Sequence, residues 1–327
     1  MMTEEIFFAM KSRCTILGAM VGDSLGSTLE FQNTDDAKKL LQKYNNFRDG
    51  LVGRGPFNLV PGQFTDDTEM GLAIMSVLNR VGEYNIELVA QSYHDWYESG
   101  PYDIGKATTA SVSKNTSAEM ILVGKTTNAT SLSNGFMMRL PYLVSFYYNK
   151  TSEHLLKAII QDVSLTHGHA DIPVVACIYG LMLRKAIQGF GANKVYEYGQ
   201  KKSLHSELWA AIYEAVENGK NNFKYKNNMY HFKYIGSEMI GFVGYAIWLL
   251  LLCLKYHKSY RDAILEVVGF GGDTDTNACI VGAMMGALYP DTIPNEWIKS
   301  VTNFNDSERF KSYPIANPKV WMQWLPK

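Results

Sequence analysis

Residues 269–290 read GFGGDTDTNACIVGAMMGALYP, and the reading of the whole chain turns on them. Asp273 and Asp275 stand two apart, and a threonine follows each. Carboxylates that close repel one another and need a cation, a proton or a tight hydrogen-bond network. Asp and Thr offer only oxygen donors, which suit a hard ion such as Mg²⁺ or Ca²⁺. Two glycines precede the pair. The small residues after Asn277 suit a helix packed closely against another glycine-rich segment.

A second Asp-and-Thr stretch lies some two hundred residues earlier, at Gly62–Met70, GQFTDDTEM. Thr65, Asp66, Asp67 and Thr68 open an apolar helix. Thr and Asp are favoured at helix starts, where acids also suit the dipole, and one acid needs no other explanation. Two adjacent acids framed by threonines exceed what a cap requires. Together the two stretches supply four carboxylates and several hydroxyls, enough for two divalent ions about 4 Å apart.

Outward from these, Gly18–Phe31 reads GAMVGDSLGSTLEF. Its small residues permit close backbone approach, and Asp23 on its own reads as a buried, hydrogen-bonded carboxylate. Glu30 sits between Leu29 and Phe31, an apolar setting in which an acid takes a raised pKa. Tyr102–Thr109, YDIGKATT, places Asp103 and Gly105 in a loop whose amides could meet a phosphate, although a plain turn and cap also fits. Ser131–Arg139, SLSNGFMMR, holds a turn at Ser133, Asn134 and Gly135. Phe136 after it could cover an aromatic base or belong to the core. Ser164–Asp171, SLTHGHAD, carries His167 and His169 without HExxH spacing or a neighbouring cysteine, which argues against zinc. Tyr234–Gly241, YIGSEMIG, is a glycine-bearing loop with no evident role.

The 327 residues suffice for a large core without disulfides or a structural metal. A net charge of -1 argues against a general nucleic-acid or membrane-surface binder. Cys14, Cys177, Cys253 and Cys279 are widely spaced and read as buried free thiols of a reducing compartment. The start has acids before its short apolar patch, unlike a secretory signal, and the expected location is cytoplasmic. Met239–Leu254 is strongly apolar but shorter than the ~20 residues a bilayer needs, so it reads as a buried core helix. Helical spacing recurs over Glu69–Val81, Ile86–Glu98, Ser152–Asp162, Ile172–Gln188, Ser206–Asn218 and Arg261–Val268, with no βα rhythm. Gly219–Asn228 reads as a surface loop. These features predict one all-α domain.

In order along nearly the whole chain, GAMVGDSLGSTLEF, FTDDTEM, DIGKATT, SNGFMMR, LTHGHAD and GFGGDTDTNACIVGAMMGALYP resemble the ADP-ribosylglycohydrolase family. That family includes the dinitrogenase-reductase-activating glycohydrolase and the ADP-ribosyl-acceptor hydrolases. The resemblance implies an all-α orthogonal helix bundle over residues 1–327, with two Mg²⁺ ions in a cleft, that cleaves ADP-ribose from modified side chains. Carried over by position, Thr65, Asp66 and Asp67 become one set of metal ligands, and Asp273, Asp275 and Thr276 the other. Glu30, Asp67 and Asp273 become the catalytic carboxylates. Gly105, Ser133, Asn134, Gly135 and His167 become contacts to ADP-ribose.

Phe136 and Met137 replace smaller residues of the family pattern, and Pro290 stands where a glycine often ends the last motif. The motifs lie nearer the reductase-activating branch, which favours arginine-linked ADP-ribose as substrate. Serine-linked and O-acetyl substrates stay open. So do two rivals: a binder that has lost turnover, as in the family's lens crystallin, and a metal-dependent phosphohydrolase.

Overall fold

The computed structural model describes residues 3–327, and the fold is all-α: seventeen α-helices alternate with short loops. Where apolar residues recur at helical spacing, helices form with side-chain caps at their starts. Asn85 caps Ile86–Glu98, Thr151 caps Ser152–Ser164, Ser206 caps Glu207–Glu217 and Ser259 caps Tyr260–Gly269, each accepting a hydrogen bond from a backbone N–H two or three residues into the helix.

The core is built on the first helix, Glu4–Gly26, lying along the Thr274–Leu288 helix. Gly18, Gly22 and Gly26 recur at intervals of four and so share one face. A Cβ on Gly22 would sit 2.0 Å from Ala278 O, and one on Gly282 2.4 Å from Gly18 O. The two backbones therefore touch, which only glycine permits. Tyr260 fixes the register by donating its hydroxyl to Gly18 O at 2.6 Å. This contact joins segments some 250 residues apart and brings the GDSLG and GGDTDT stretches to one place.

The buried helix expected over Met239–Leu254 forms over Val243–Tyr256 instead; residues 239–242 lie in the loop before it, with Met239 exposed. Among the described residues no helix is long and apolar enough to cross a membrane. All four cysteines are free; Cys253 and Cys279 are buried, whereas Cys14 and Cys177 are only partly so. Part of the expected polar loop at 219–228 is instead an antiparallel hairpin, Asn222–Tyr225 with Asn228–His231. Phe223 and Tyr225 are buried on one face, and alternate residues point to opposite faces of a strand.

Candidate active site

Two helices begin at the same cleft. Thr65 precedes Asp66–Val81, and Asp273 precedes Thr274–Leu288. Asp23, at the end of the first helix, ties the first of these down. It accepts hydrogen bonds from Thr65 N (3.0 Å), Thr65 Oγ1 (2.8 Å) and Thr68 N (3.0 Å). Burial raises its pKa to about 7 against the pull of those donors.

Oxygens of Asp23, Asp67 and Asp275 lie within 4.8 Å of one another, and so do those of Glu30, Asp273 and Asp275. Asp275 is common to both groups. Burial first, and then neighbouring carboxylates, push Asp66, Asp67 and Asp275 well above the usual carboxylate range. Glu30 rises to about 9, again chiefly by burial, then by Asp103 and Asp273. Asp67 Oδ1 and Glu30 Oε2 are buried without a hydrogen-bond partner. The cluster thus lacks the compensation that buried carboxylates require.

The cleft holds about 580 Å³. Glu30, Asp66, Asp103, Asp273 and Thr276 line its acidic end, and Gly105, Lys106, Thr108, Ser133, Asn134 and Gly135 line the rest. Asp103 belongs to the acidic group: burial, then Asp273, raises it to about 6, with Asp66 beside it as a hydrogen-bond partner. Asn134 donates Nδ2 to Asp273 Oδ2 at 2.8 Å, and its backbone N–H bonds Gly241 O at 2.9 Å. The YIGSEMIG loop therefore forms one wall, with Ile240 and Gly241 in the lining.

His167 lies behind that wall rather than in it. Its Nε2 meets Ser133 Oγ at 2.8 Å and its Nδ1 meets Thr166 Oγ1 at 2.8 Å. Arg139 donates to Thr166 Oγ1 and, through Nε, to Asp162 at 2.8 Å. Thr166 Oγ1, accepting from the guanidinium, still has its own hydroxyl hydrogen to donate to Nδ1, and in that arrangement the neutral ring donates Nε2–H to Ser133 Oγ. Burial and then Arg139 lower His167 to about 3, so the ring is neutral. In that arrangement Ser133 Oγ accepts from the ring and from Ser131 Oγ (3.2 Å), and its own hydroxyl hydrogen is left to donate.

The structure also places residues whose roles the sequence left open. Phe136, which the sequence left between a cover for a base and the core, belongs to the core: it is fully buried, edge-on to His167 at 5.2 Å. Gly271 and Gly272, at φ 75° and 79°, serve close approach to the neighbouring loops. A Cβ there would meet Gln32 O at 2.3 Å and Ile235 O at 2.2 Å. Asp103 and Lys106 join the cleft with little sequence signal beyond their place beside Gly105.

A clasp from the C-terminal region holds the acidic wall. Arg309 pairs with Glu69 through Nε at 2.7 Å, and Glu69 also accepts from Trp96 Nε1 at 2.7 Å. The same guanidinium donates to Ser99 O at 3.0 Å. Asp306 Oδ2 accepts from Gln63 Nε2 at 2.9 Å and from the Tyr102 hydroxyl at 2.8 Å. One short segment thus braces both the loop before Thr65 and the loop before Asp103.

The ADP-ribosylglycohydrolase family model matches residues 8–322. The chain belongs to the ADP-ribosylglycohydrolase family. A protein of Acanthamoeba polyphaga mimivirus, named as an ADP-ribosyl glycohydrolase, is 51% identical over 324 residues, covering 97% of this chain and 98% of its own. The ADP-ribosylarginine hydrolase Tri1 of Pseudomonas putida is 26% identical, covering 89% of this chain and 74% of its own. A solved structure described as an ADP-ribosylglycohydrolase-related protein complex shares the fold, with a TM-score of 0.67 at 22% identity over 96% of this chain and 98% of its own. The protein is accordingly an enzyme of the ADP-ribosyl hydrolase class.

Proposed function

We propose that this enzyme uses two Mg²⁺ ions to release ADP-ribose from modified arginine side chains of proteins. The observation that carries the reading is the pair of carboxylate groups sharing Asp275, with oxygens within 4.8 Å and no basic side chain among them. Carboxylate and hydroxyl oxygens are the donors Mg²⁺ takes, and two linked groups at this spacing suit two ions about 4 Å apart. Thr65, Asp66, Asp67, Asp273, Asp275 and Thr276 would hold the pair, with Asp23 keeping Thr65 in position. The unpartnered Asp67 Oδ1 fits that role. When bound, such ions neutralise the carboxylates and polarise the ribose hydroxyls.

The chain's own residues supply the rest. Lys106 and the donor hydroxyl of Ser133, oriented by His167, suit the diphosphate at the Gly105 and Gly135 end. Asn134 fixes Asp273. Glu30, which lines the cleft, is the carboxylate we assign to proton transfer at the reacting end. The C–N bond from ribose to guanidine breaks with its electron pair going to nitrogen, through an oxocarbenium-like state. Water bonds to the anomeric carbon, one of its protons passes to Glu30, and Glu30 returns it to the departing guanidine. A guanidine needs little acid assistance to leave, unlike a serine alkoxide. The arginine reading also draws on the Pseudomonas putida relative, which is named for ADP-ribosylarginine. We take residues 1–327 to act as one domain, because segments from Glu30 to Thr276 line the cleft and Asp306 and Arg309 brace it.

The test is incubation with arginine- and serine-ADP-ribosylated proteins, with Mg²⁺ or EDTA. ADP-ribose release from the arginine conjugate in Mg²⁺ alone is expected. Full activity in EDTA would refute the metal assignment, preference for the serine conjugate the linkage, and release of AMP or phosphate the glycosidic reaction.

A further inference from the structure

Arg139 and Asp162 form an ion pair set apart from the acidic cleft. Both are fully buried, and Arg139 Nε donates to Asp162 Oδ2 at 2.8 Å. Asp162 Oδ1 accepts from the Tyr93 hydroxyl at 2.8 Å and the Tyr84 hydroxyl at 3.1 Å, so both carboxylate oxygens are partnered. Neither charged residue lines the cleft. Removing two charges from water is costly, and well-packed apolar residues often stabilise a core as well or better. As a brace the pair is therefore weak, and what its remaining donors hold is the informative part.

Those donors reach the two loops at the far end of the cleft. Arg139 Nη1 donates to Gly135 O at 2.9 Å, and Nη2 donates to Thr166 Oγ1 at 2.9 Å. Thr166 Oγ1 meets His167 Nδ1, and the other ring nitrogen meets Ser133. Ser133 and Gly135 both line the cleft, so one guanidinium holds both ends of that turn. Thr166 also faces the Gly105 loop. Its carbonyl accepts from Asn128 Nδ2 at 2.9 Å, and the same amide donates to Ala107 O at 2.7 Å. Thr166, His167 and Asn128 are all buried. The ligand-facing loops on both sides are thus tied to Thr166, and no member of the tie belongs to the carboxylate groups around Asp275.

We propose that Arg139 and Thr166 are positioning residues: through His167 they set the direction in which Ser133 offers its hydroxyl hydrogen to the ligand. The role rests on the reading that the cleft takes ADP-ribose, and it adds the buried residues that govern affinity there. Arg139 donates to Thr166, Thr166 donates to Nδ1, and the ring donates Nε2–H to Ser133. Ser133 is then left with a hydrogen for an acceptor, which the diphosphate supplies and a donor group does not. Because the network ends at the turn and does not include Glu30, its loss weakens ligand binding and spares turnover.

The experiment titrates ADP-ribose into the Mg²⁺-treated protein by calorimetry. Thr166→Val keeps the shape of the side chain and removes its hydroxyl, while Arg139 Nη2 keeps its bond to Asp162 O at 3.0 Å. Its Kd should weaken about tenfold, the scale of one oriented hydrogen bond to a charged group. KM for an ADP-ribosylated arginine substrate should rise with it, with kcat within about twofold of wild type. Thr166→Ser should restore both. In a Ser133→Ala background Thr166→Val should cost almost nothing more, because the two act in series. An unchanged Kd in Thr166→Val, a fall in kcat alone, or full additivity with Ser133→Ala would overturn the role and leave the hydrolase reading standing. A wild type that binds no ADP-ribose would defeat that reading, and the role with it. Should Thr166→Val not fold, nitrogen-15 NMR of labelled histidine in the wild type decides, with His167 identified by the signals lost in His167→Gln: a proton on Nε2 supports the role, and one on Nδ1 overturns it.

Discussion

Replacing Asp275 by Asn should stabilise the metal-free protein and abolish its response to Mg²⁺. Asp275 is the carboxylate shared by both acidic groups, whose oxygens lie within 4.8 Å. At an effective dielectric of about 20, one like-charged pair at that separation costs about 3 kcal/mol. Part of this is already relieved by proton uptake, as the raised pKa values of Asp67 and Asp275 indicate. Asparagine keeps an acceptor for the Thr276 N–H, bonded at 2.9 Å, and forfeits about 0.5 kcal/mol of helix-dipole stabilisation. The net gain is therefore about 1–2 kcal/mol. Unfolding a chain of 327 residues has an entropy of roughly 0.7 kcal/mol per degree, so the melting temperature should rise by about 1.5–3 °C in EDTA. At a hundred times Kd, Mg²⁺ adds about 2.7 kcal/mol per ion to the wild type, or about 4 °C. The order of stability thus inverts between the two conditions, and differential scanning fluorimetry reads it directly. A variant less stable than wild type in EDTA, or one that gains as much from Mg²⁺, would refute the account of the cluster as carboxylates awaiting cations.

Two further outcomes follow from the same geometry. Asp306→Ser keeps an oxygen to cap the Ser307–Ser312 helix but removes the acceptor for Gln63 and Tyr102. It should cost about 1–2 kcal/mol in urea denaturation and lower kcat severalfold through Asp103 and Thr65; an unchanged kcat would make the clasp a purely structural brace. The pH dependence should differ with and without Mg²⁺. Glu30 titrates near 9 in the folded metal-free protein against 4.5 ordinarily, so its contribution is complete below 4.5 and disappears as pH rises through 9. His167 acts oppositely: its folded pKa of about 3 lies below 6.5, so about 2 kcal/mol is lost by pH 5. Melting curves in EDTA should therefore favour mildly acid pH. Mg²⁺, by holding the carboxylates ionised, should move the optimum toward neutrality, and coincident profiles would contradict this.

Much of the helical framework is legible from spacing and caps, because those signals are local. Ile86–Glu98 forms over the span its periodicity predicts, with Asn85 as cap. The glycine face of the first helix is legible for the same reason, since small residues at intervals of four announce a close partner. What escapes the sequence depends on chain reversals and on contacts between distant residues. The Asn222–His231 hairpin hides because its buried apolar residues alternate with lysine and asparagine, which read as a loop. Phe136 stays open between a base cover and the core because nothing local reveals that His167, some thirty residues on, will pack against it. Arg309 and Glu69 are 240 residues apart, and neither carries a motif.

The candidate site itself is legible in a particular way. Thr65 and Asp66, like Asp273 and Thr274, are residue types favoured where helices start, and both helices begin there, although neither Thr65 nor Asp273 caps its helix through its side chain. Each acid is favourable on its own helix, where it faces the positive end of the dipole. The conflict arises only when the glycine-lined contact between the first and Thr274–Leu288 helices brings both starts to one cleft. There Asp67 and Asp275 meet in burial with no basic partner between them. A sequence whose local choices all agree with the fold, yet which leaves one buried cluster unsatisfied, locates its function at that cluster. Divalent cations reconcile the two levels: they let each helix keep its acidic start and turn the mutual repulsion of those starts into a binding site.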